Sequence, residues 1–203
     1  MALPNNICLA PFIFTTINAS GQQSPCPTLG GDHWDFGCRS MKDRWLSSEL
    51  TEFRQDMLDN KQLLPTCARC WTEEAAGGYS LRKFIYNPES DPEGIDTPLL
   101  GSPITPKIAI KENFYKHGPM QIVMKANNIC NLRCRTCNSN DSYLYKIEGN
   151  YYQEKYKVIE PIYTRGPDAV QWTDEQLDEI YEFSGNLRRL EIYGGEPLLD
   201  EQT

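Results

Sequence analysis

The chain has 203 residues, with 20 Lys and Arg against 28 Asp and Glu, a formal charge of -8 and 39% hydrophobic residues. That acidic balance argues against generic nucleic-acid binding, and no apolar run approaches the roughly 20 residues of a membrane span. Eight cysteines come without a cleavable leader, since Ile7 to Phe14 is apolar but short and lacks a basic n-region. Cytoplasmic, reducing conditions therefore suit the cysteine usage, and a disulfide framework is the weaker reading.

Taken in chain order, the cysteines are patterned. Cys8 is followed by a strand candidate, Phe12 to Asn18, and by an Ala19-Ser20-Gly21 turn; the returning chain then presents Cys26 beside Cys8. Leu50, Phe53, Met57 and Leu58 recur at helical spacing, and Pro65 ends that pattern. Next comes Cys67-Ala-Arg-Cys70, continuing through Trp71 and Glu74 to Ser80-Leu81-Arg82. Two pairs of thiols arranged in this way make a zinc site as readily as an iron–sulfur site. Cys38 is read as an ordinary free thiol, although the residues leave open that it replaces one of these four. His33 and His117, the only histidines, read as loop residues.

From Asn87 to Pro119 there are six prolines with several glycines and acids, which reads as a linker or extended crossing. A short β-prone run, Gln121 to Ala126, then leads into Cys130-Asn-Leu-Arg-Cys134-Arg-Thr-Cys137. Three thiolates at this spacing occupy three corners of an iron–sulfur cube and leave one iron without a protein ligand. A structural zinc site would instead want a fourth ligand, and none lies nearby in sequence. The tyrosines between Tyr143 and Gly166 read as packing and surface residues. Thr173 to Gln176 forms a capping box opening an amphipathic helix with Leu177, Ile180, Tyr181 and Ser184 on one face. Leu190 to Tyr193 alternates like a second strand and runs into Gly194-Gly195-Glu196-Pro197, where two glycines permit close approach of backbone to a ligand.

The C-x3-C-x2-C triplet, followed by Gly194 to Pro197 at a strand end, resembles the radical S-adenosylmethionine (SAM) superfamily. The resemblance implies an α/β fold, the N-terminal part of a partial (β/α)6 radical SAM barrel, with strand, cluster loop, helical crossover and strand in that order. It implies that Cys130, Cys134 and Cys137 hold a [4Fe–4S] cluster, that Gly194, Gly195, Glu196 and Pro197 meet the ammonium of SAM, and that a reductant such as flavodoxin or ferredoxin supplies the electron. The first part of the chain is similar to the small α+β auxiliary domain called twitch, related to SPASM. By that resemblance Cys8, Cys26, Cys67 and Cys70 hold a second [4Fe–4S] cluster. The expected organisation is an auxiliary domain over 1–86, a Pro-rich linker over 87–118 and radical SAM core over 119–203.

A full barrel needs more residues than the 85 that follow His117-Gly118, so the core is read as incomplete, as a fragment or as one half of a split enzyme completed by a second polypeptide. Substrate identity is beyond the sequence, with peptide or protein modification the family habit. No nucleic acid or membrane partner is expected. The competing reading is a non-catalytic module in which zinc or iron–sulfur only folds a small domain.

Overall fold

The computed structural model describes residues 3–18, 21–29, 40–61, 67–96, 98–125, 127–157 and 172–196. The fold is α/β, with a four-stranded mixed sheet in the order β2-β1-β3-β4. The strands are β1 (Phe14–Ile17), β2 (Gln23–Ser24), β3 (Gln121–Lys125) and β4 (Arg189–Tyr193). The chain divides into two compact units, one built from residues 1–16, 23–122 and 179–190 and the other from 17–22, 123–178 and 191–203.

In the first unit the run expected as one strand from Phe12 begins instead as a helical turn, α1 (Ala10–Ile13), and becomes extended only at Phe14. Pro11 is the reason. Its fixed φ and missing N–H suit the first turn of a helix, and the N–H groups of Phe12 and Ile13 both reach back to the Leu9 carbonyl, at 2.9 and 3.2 Å. Ile7, Leu9, Phe12, Ile13 and Trp45 are almost wholly buried, each contributing roughly 1.5–3 kcal/mol of apolar burial. Helices α2 (Met41–Trp45) and α3 (Ser48–Leu58) are started by the hydroxyls of Ser40 and Ser47, which accept from the N–H groups of Asp43 and Leu50. As the spacing predicts, α3 turns Leu50, Phe53 and Met57 inward. Arg54 goes with them and is only 2% exposed. Helix α4 (Ala68–Ala75) follows Cys67, and α5 (Leu81–Ile85) starts at Ser80, whose hydroxyl accepts from the Lys83 N–H.

The segment 87–118, expected as an extended crossing, is folded into the first unit. It makes a 3-10 turn at Leu99–Gly101, helix α6 (Pro106–Lys111) and a second 3-10 turn at Phe114–His117, and α6 and the second turn both pack on α1. Its prolines punctuate without unfolding: Pro106 occupies the opening turn of α6, where no N–H is required, and Leu99 and Ala109 are buried. The rings of Phe12 and Tyr115 meet edge to face at 5.8 Å.

In the second unit, β3 leads into the C-x3-C-x2-C loop and then α7 (Tyr143–Tyr156). Tyr145 is buried, whereas Tyr151, Tyr152 and Tyr156 are exposed and touch one another, the last two stacked at 5.9 Å. Helix α8 (Asp174–Glu182) carries the predicted capping box: the Gln176 N–H donates to the Thr173 hydroxyl at 3.3 Å, and the Gln176 side chain accepts from the Thr173 N–H at 3.0 Å. Within the first unit residues 188 and 189 donate their N–H groups to the Met120 carbonyl, and within the second residue 195 donates to the Asn127 carbonyl. Position numbers rise together along both strands, so β3 and β4 run parallel, joined by a crossover that contains α7 and α8. Among the described residues no helix is long and apolar enough to cross a membrane.

Candidate metal centres

Three separate segments bring four thiols to one pocket in the first unit. Cys8 lies just ahead of α1, Cys26 follows the β1–β2 hairpin, and Cys67 and Cys70 stand at the head of α4. An open-sided space lies between them, walled by Phe53, Met57 and Trp71. All four are free thiols. Part of Cys8 reaches solvent, yet its sulfur sits deep enough that burial, followed by the neighbouring Cys26, Cys67 and Cys70, pushes its thiol well above the ordinary range. Burial and then Cys26 and Cys70 push the Cys67 thiol up to about 11, while the Arg82 guanidinium pulls the other way. The Cys8 and Cys67 thiols are thus held protonated by burial and by the sulfurs beside them, a cost to ionisation that a bound cationic metal core relieves.

Donors at the pocket also suit sulfur ligation. The Thr28 hydroxyl lies 3.1 Å from Cys26 Sγ, and the Thr28 N–H donates to the same sulfur at 3.5 Å. Hydrogen bonds to ligating sulfur are one of the means by which proteins set cluster potentials. Among the described residues no three His, Cys, Asp or Glu converge as ligands on a single ion; the thiols surround a volume. Their number, type and separation of origin fit an iron–sulfur group.

Residues 8–71 match the family model of the SPASM iron–sulfur cluster-binding domain. The matched span runs from Cys8 to Trp71 and contains Cys26, Cys67 and Cys70. It supports an auxiliary iron–sulfur domain in this part of the chain. Comparisons with curated proteins and with solved structures find no match. Within the matched span, Cys38 lies outside the described residues.

Cys130, Cys134 and Cys137 lie together on the loop after β3 in the second unit. Residues 131–136 are exposed, so this loop is open on one side. Its fold is local: the Leu132 N–H donates to Cys130 Sγ at 3.3 Å, and the Cys137 N–H donates to the Cys134 carbonyl at 2.9 Å. Tyr145 of α7 donates its hydroxyl to the same Cys134 carbonyl and ties the loop to the helix. Burial raises the Cys137 thiol, and Asp141, Cys130 and Cys134 add to the rise. Three thiolates in mutual reach, with an exposed side free of a fourth Cys or His neighbour in sequence, fit a cluster that keeps one iron open.

The Gly-Gly-Glu segment lies against the root of that loop. The Gly195 N–H donates to the Asn127 carbonyl at 3.2 Å and the Glu196 N–H to the Ile129 carbonyl at 2.8 Å. Space explains the glycines: a Cβ on Gly194 would stand 2.3 Å from the Asn127 oxygen, and one on Gly195 would stand 2.0 Å from the Ile129 oxygen. The backbone these glycines approach is that at the root of the Cys130 loop. Pro197 lies outside the described residues.

Other residues at the two sites had no motif to announce them. Lys125 Nζ pairs with Asp141, which also accepts from Asn138 Nδ2 at 2.9 Å, and the same Nζ lies 5.6 Å from the Tyr193 ring. Lys61, Arg69 and Arg82 line the four-thiol pocket. Only Arg82 had a sequence signal, as the last residue of the stretch running on from Cys70.

Proposed function

We propose that this chain is a radical SAM iron–sulfur protein with an auxiliary cluster. Cys130, Cys134 and Cys137 hold the catalytic [4Fe–4S] cluster, Gly194 to Pro197 receive the ammonium of SAM, and Cys8, Cys26, Cys67 and Cys70 hold the second cluster. The observation that carries the reading is the parallel pairing of β3 and β4, which seats Gly195 and Glu196 on Asn127 and Ile129, immediately before Cys130. Active sites of parallel α/β folds gather at the carboxyl ends of their strands, and both motifs occupy such ends. The SPASM match of residues 8–71 supports the auxiliary half.

A cluster held by Cys130, Cys134 and Cys137 would supply the one-electron reducing chemistry that cleaves the sulfonium of SAM. The chain's own residues prepare this. The Cys130 loop leaves one side of its thiolate triplet open, Tyr145 and Asn127 hold that loop to α7 and β4, and the Glu196 backbone keeps its carboxylate segment beside the loop. A one-electron protein donor of the flavodoxin or ferredoxin class is the natural reductant.

Anaerobic reconstitution followed by electron paramagnetic resonance, with and without SAM, tests the reading. SAM should perturb the spectrum of a cluster that disappears when Cys130, Cys134 and Cys137 are replaced by Ala, and dithionite should then yield 5′-deoxyadenosine. A spectrum indifferent to SAM, or stoichiometric zinc with no acid-labile sulfide, would establish the non-catalytic metal module instead.

A further inference from the structure

We propose that Arg82 is a positioning and potential-setting residue of the four-thiol site: it clamps the segments that carry Cys8, Cys67 and Cys70 and presents a buried positive charge to the cluster they hold. This rests on the reading of that pocket as an iron–sulfur site.

Arg82 is 5% exposed, and every face of its guanidinium is used. Nη1 donates to the carbonyls of Asn5 and Ile7 at 3.0 and 3.1 Å, fixing the backbone that leads into Cys8. Nε donates to Glu74 Oε1 at 3.0 Å and Nη2 to Glu74 Oε2, a two-pronged grip on α4, whose opening turn carries Cys70. Its Cζ lies 4.5 Å from the Trp71 ring centroid. One side chain thus ties two ligand-bearing segments that are far apart in sequence, with a planar fork that Lys cannot reproduce.

The charge has a direction. Arg82 lines the pocket, whereas no Asp or Glu among the described residues does, in a chain of formal charge -8. The other two lining cations are peripheral by comparison: Lys61 has a side chain 60% exposed and is paired with Asp56, and Arg69 is exposed. Glu74 stands behind Arg82 and also accepts from the Ser80 hydroxyl, so the ion pair turns its positive end to the sulfurs. Four thiolates around a [4Fe–4S]2+ core carry net charge -2. One electron takes the core to the 1+ state and the whole to -3, with no bond made or broken. A fixed buried cation stabilises the -3 form more than the -2 form and raises the reduction potential; the carboxylate behind it does the reverse.

The two members of the pair must therefore act in opposite directions, which a purely structural role would not produce. The test uses the full chain with Cys130, Cys134 and Cys137 replaced by Ala, so that only the four-thiol site reports, loaded anaerobically and titrated with dithionite and mediators under electron paramagnetic resonance. Arg82→Gln should shift the one-electron equilibrium at least tenfold toward the oxidised form, about 59 mV more negative, and Glu74→Gln should shift it the other way. Shifts of the same sign, or none in either variant, overturn the inference. If Arg82→Gln loses its iron, Glu74→Gln decides: a more positive potential supports the charge effect, and an unchanged one overturns it. Parent protein that takes up no iron and sulfide at this site overturns the cluster reading itself, a result visible before any potential is measured.

Discussion

Gly195 donates its N–H to the carbonyl of Asn127, and this bond ties the residues after β4 to the root of the Cys130 loop. The neighbouring Glu196–Ile129 bond repeats the contact one step farther along. The two motifs of the second unit are therefore one piece of backbone geometry. A side chain at Gly195 has nowhere to go, because the atom it would strike at 2.0 Å is a carbonyl oxygen and not the end of a flexible side chain.

Gly195→Ala should accordingly destabilise the second unit by about 2 kcal/mol or more, at the upper end of overpacking costs. It should also lower iron uptake at Cys130, Cys134 and Cys137 while leaving the four-thiol site loaded. Urea unfolding and iron analysis of the reconstituted variant check both. Unchanged stability and full loading would mean that the segment can move away from the loop without cost.

The two ligand sets should separate cleanly. Replacing Cys130, Cys134 and Cys137 with Ala should remove about four irons and four sulfides and leave the other cluster's spectrum intact; replacing Cys67 and Cys70 should do the converse. Cys38→Ser should remove neither. Iron lost from the Cys38 variant would put that residue in the place of one of the four assigned ligands.

Local chemistry made part of this structure legible from the residues. Thr173 and Gln176 announce a helix start because both partners of the capping box lie within one turn, and Leu50, Phe53 and Met57 announce a buried helical face by spacing alone. What escaped depends on partners remote in sequence. Pro106 looks like a breaker until it is seen to open α6, and Pro11 turns the head of an apparent strand into α1. Nothing beside Gly194 says that Asn127 will be 67 positions away and in contact. Arg54 carries no sequence signal of burial, since charge normally means exposure; it and Arg82 are buried because they meet backbone carbonyls and rings brought from elsewhere.

Acid should loosen the four-thiol unit through Glu74. Burial on its own would raise this carboxyl, but hydrogen bonds from Arg82 and Ser80 outweigh it and hold it below the usual carboxylate range. The folded-state value is thus depressed, so the stability it contributes is present above the unfolded value of about 4.3 and is lost as pH falls through the folded one. Wild type should exceed Glu74→Gln in stability at neutral pH, with the gap closing below about pH 4.3. Apo-protein unfolding followed by circular dichroism at several pH values measures this; a gap that stays constant into acid would exclude the ionised pair as its source.

Arg54 offers the sharpest test of how the first unit is held. It is buried without a carboxylate partner among its described contacts: Nε donates to the Pro11 carbonyl at 2.7 Å, Nη1 to the Trp45 carbonyl at 2.8 Å, and the guanidinium lies 4.4 and 4.7 Å from the Trp45 and Tyr115 rings. Burial lowers its pKa to about 9, so folding penalises the charged form. Set against that penalty are two charge-assisted hydrogen bonds, worth about 1.5–3 kcal/mol each, and two cation–π contacts of about 0.5–2 kcal/mol each. Arg54→Met removes the penalty but orphans both carbonyls, and the lost contacts should win by about 2–4 kcal/mol at neutral pH. Urea midpoints at pH 7 should show the Met variant weaker. A Met variant more stable than wild type at pH 7 would show that desolvation of the guanidinium outweighs everything it holds together.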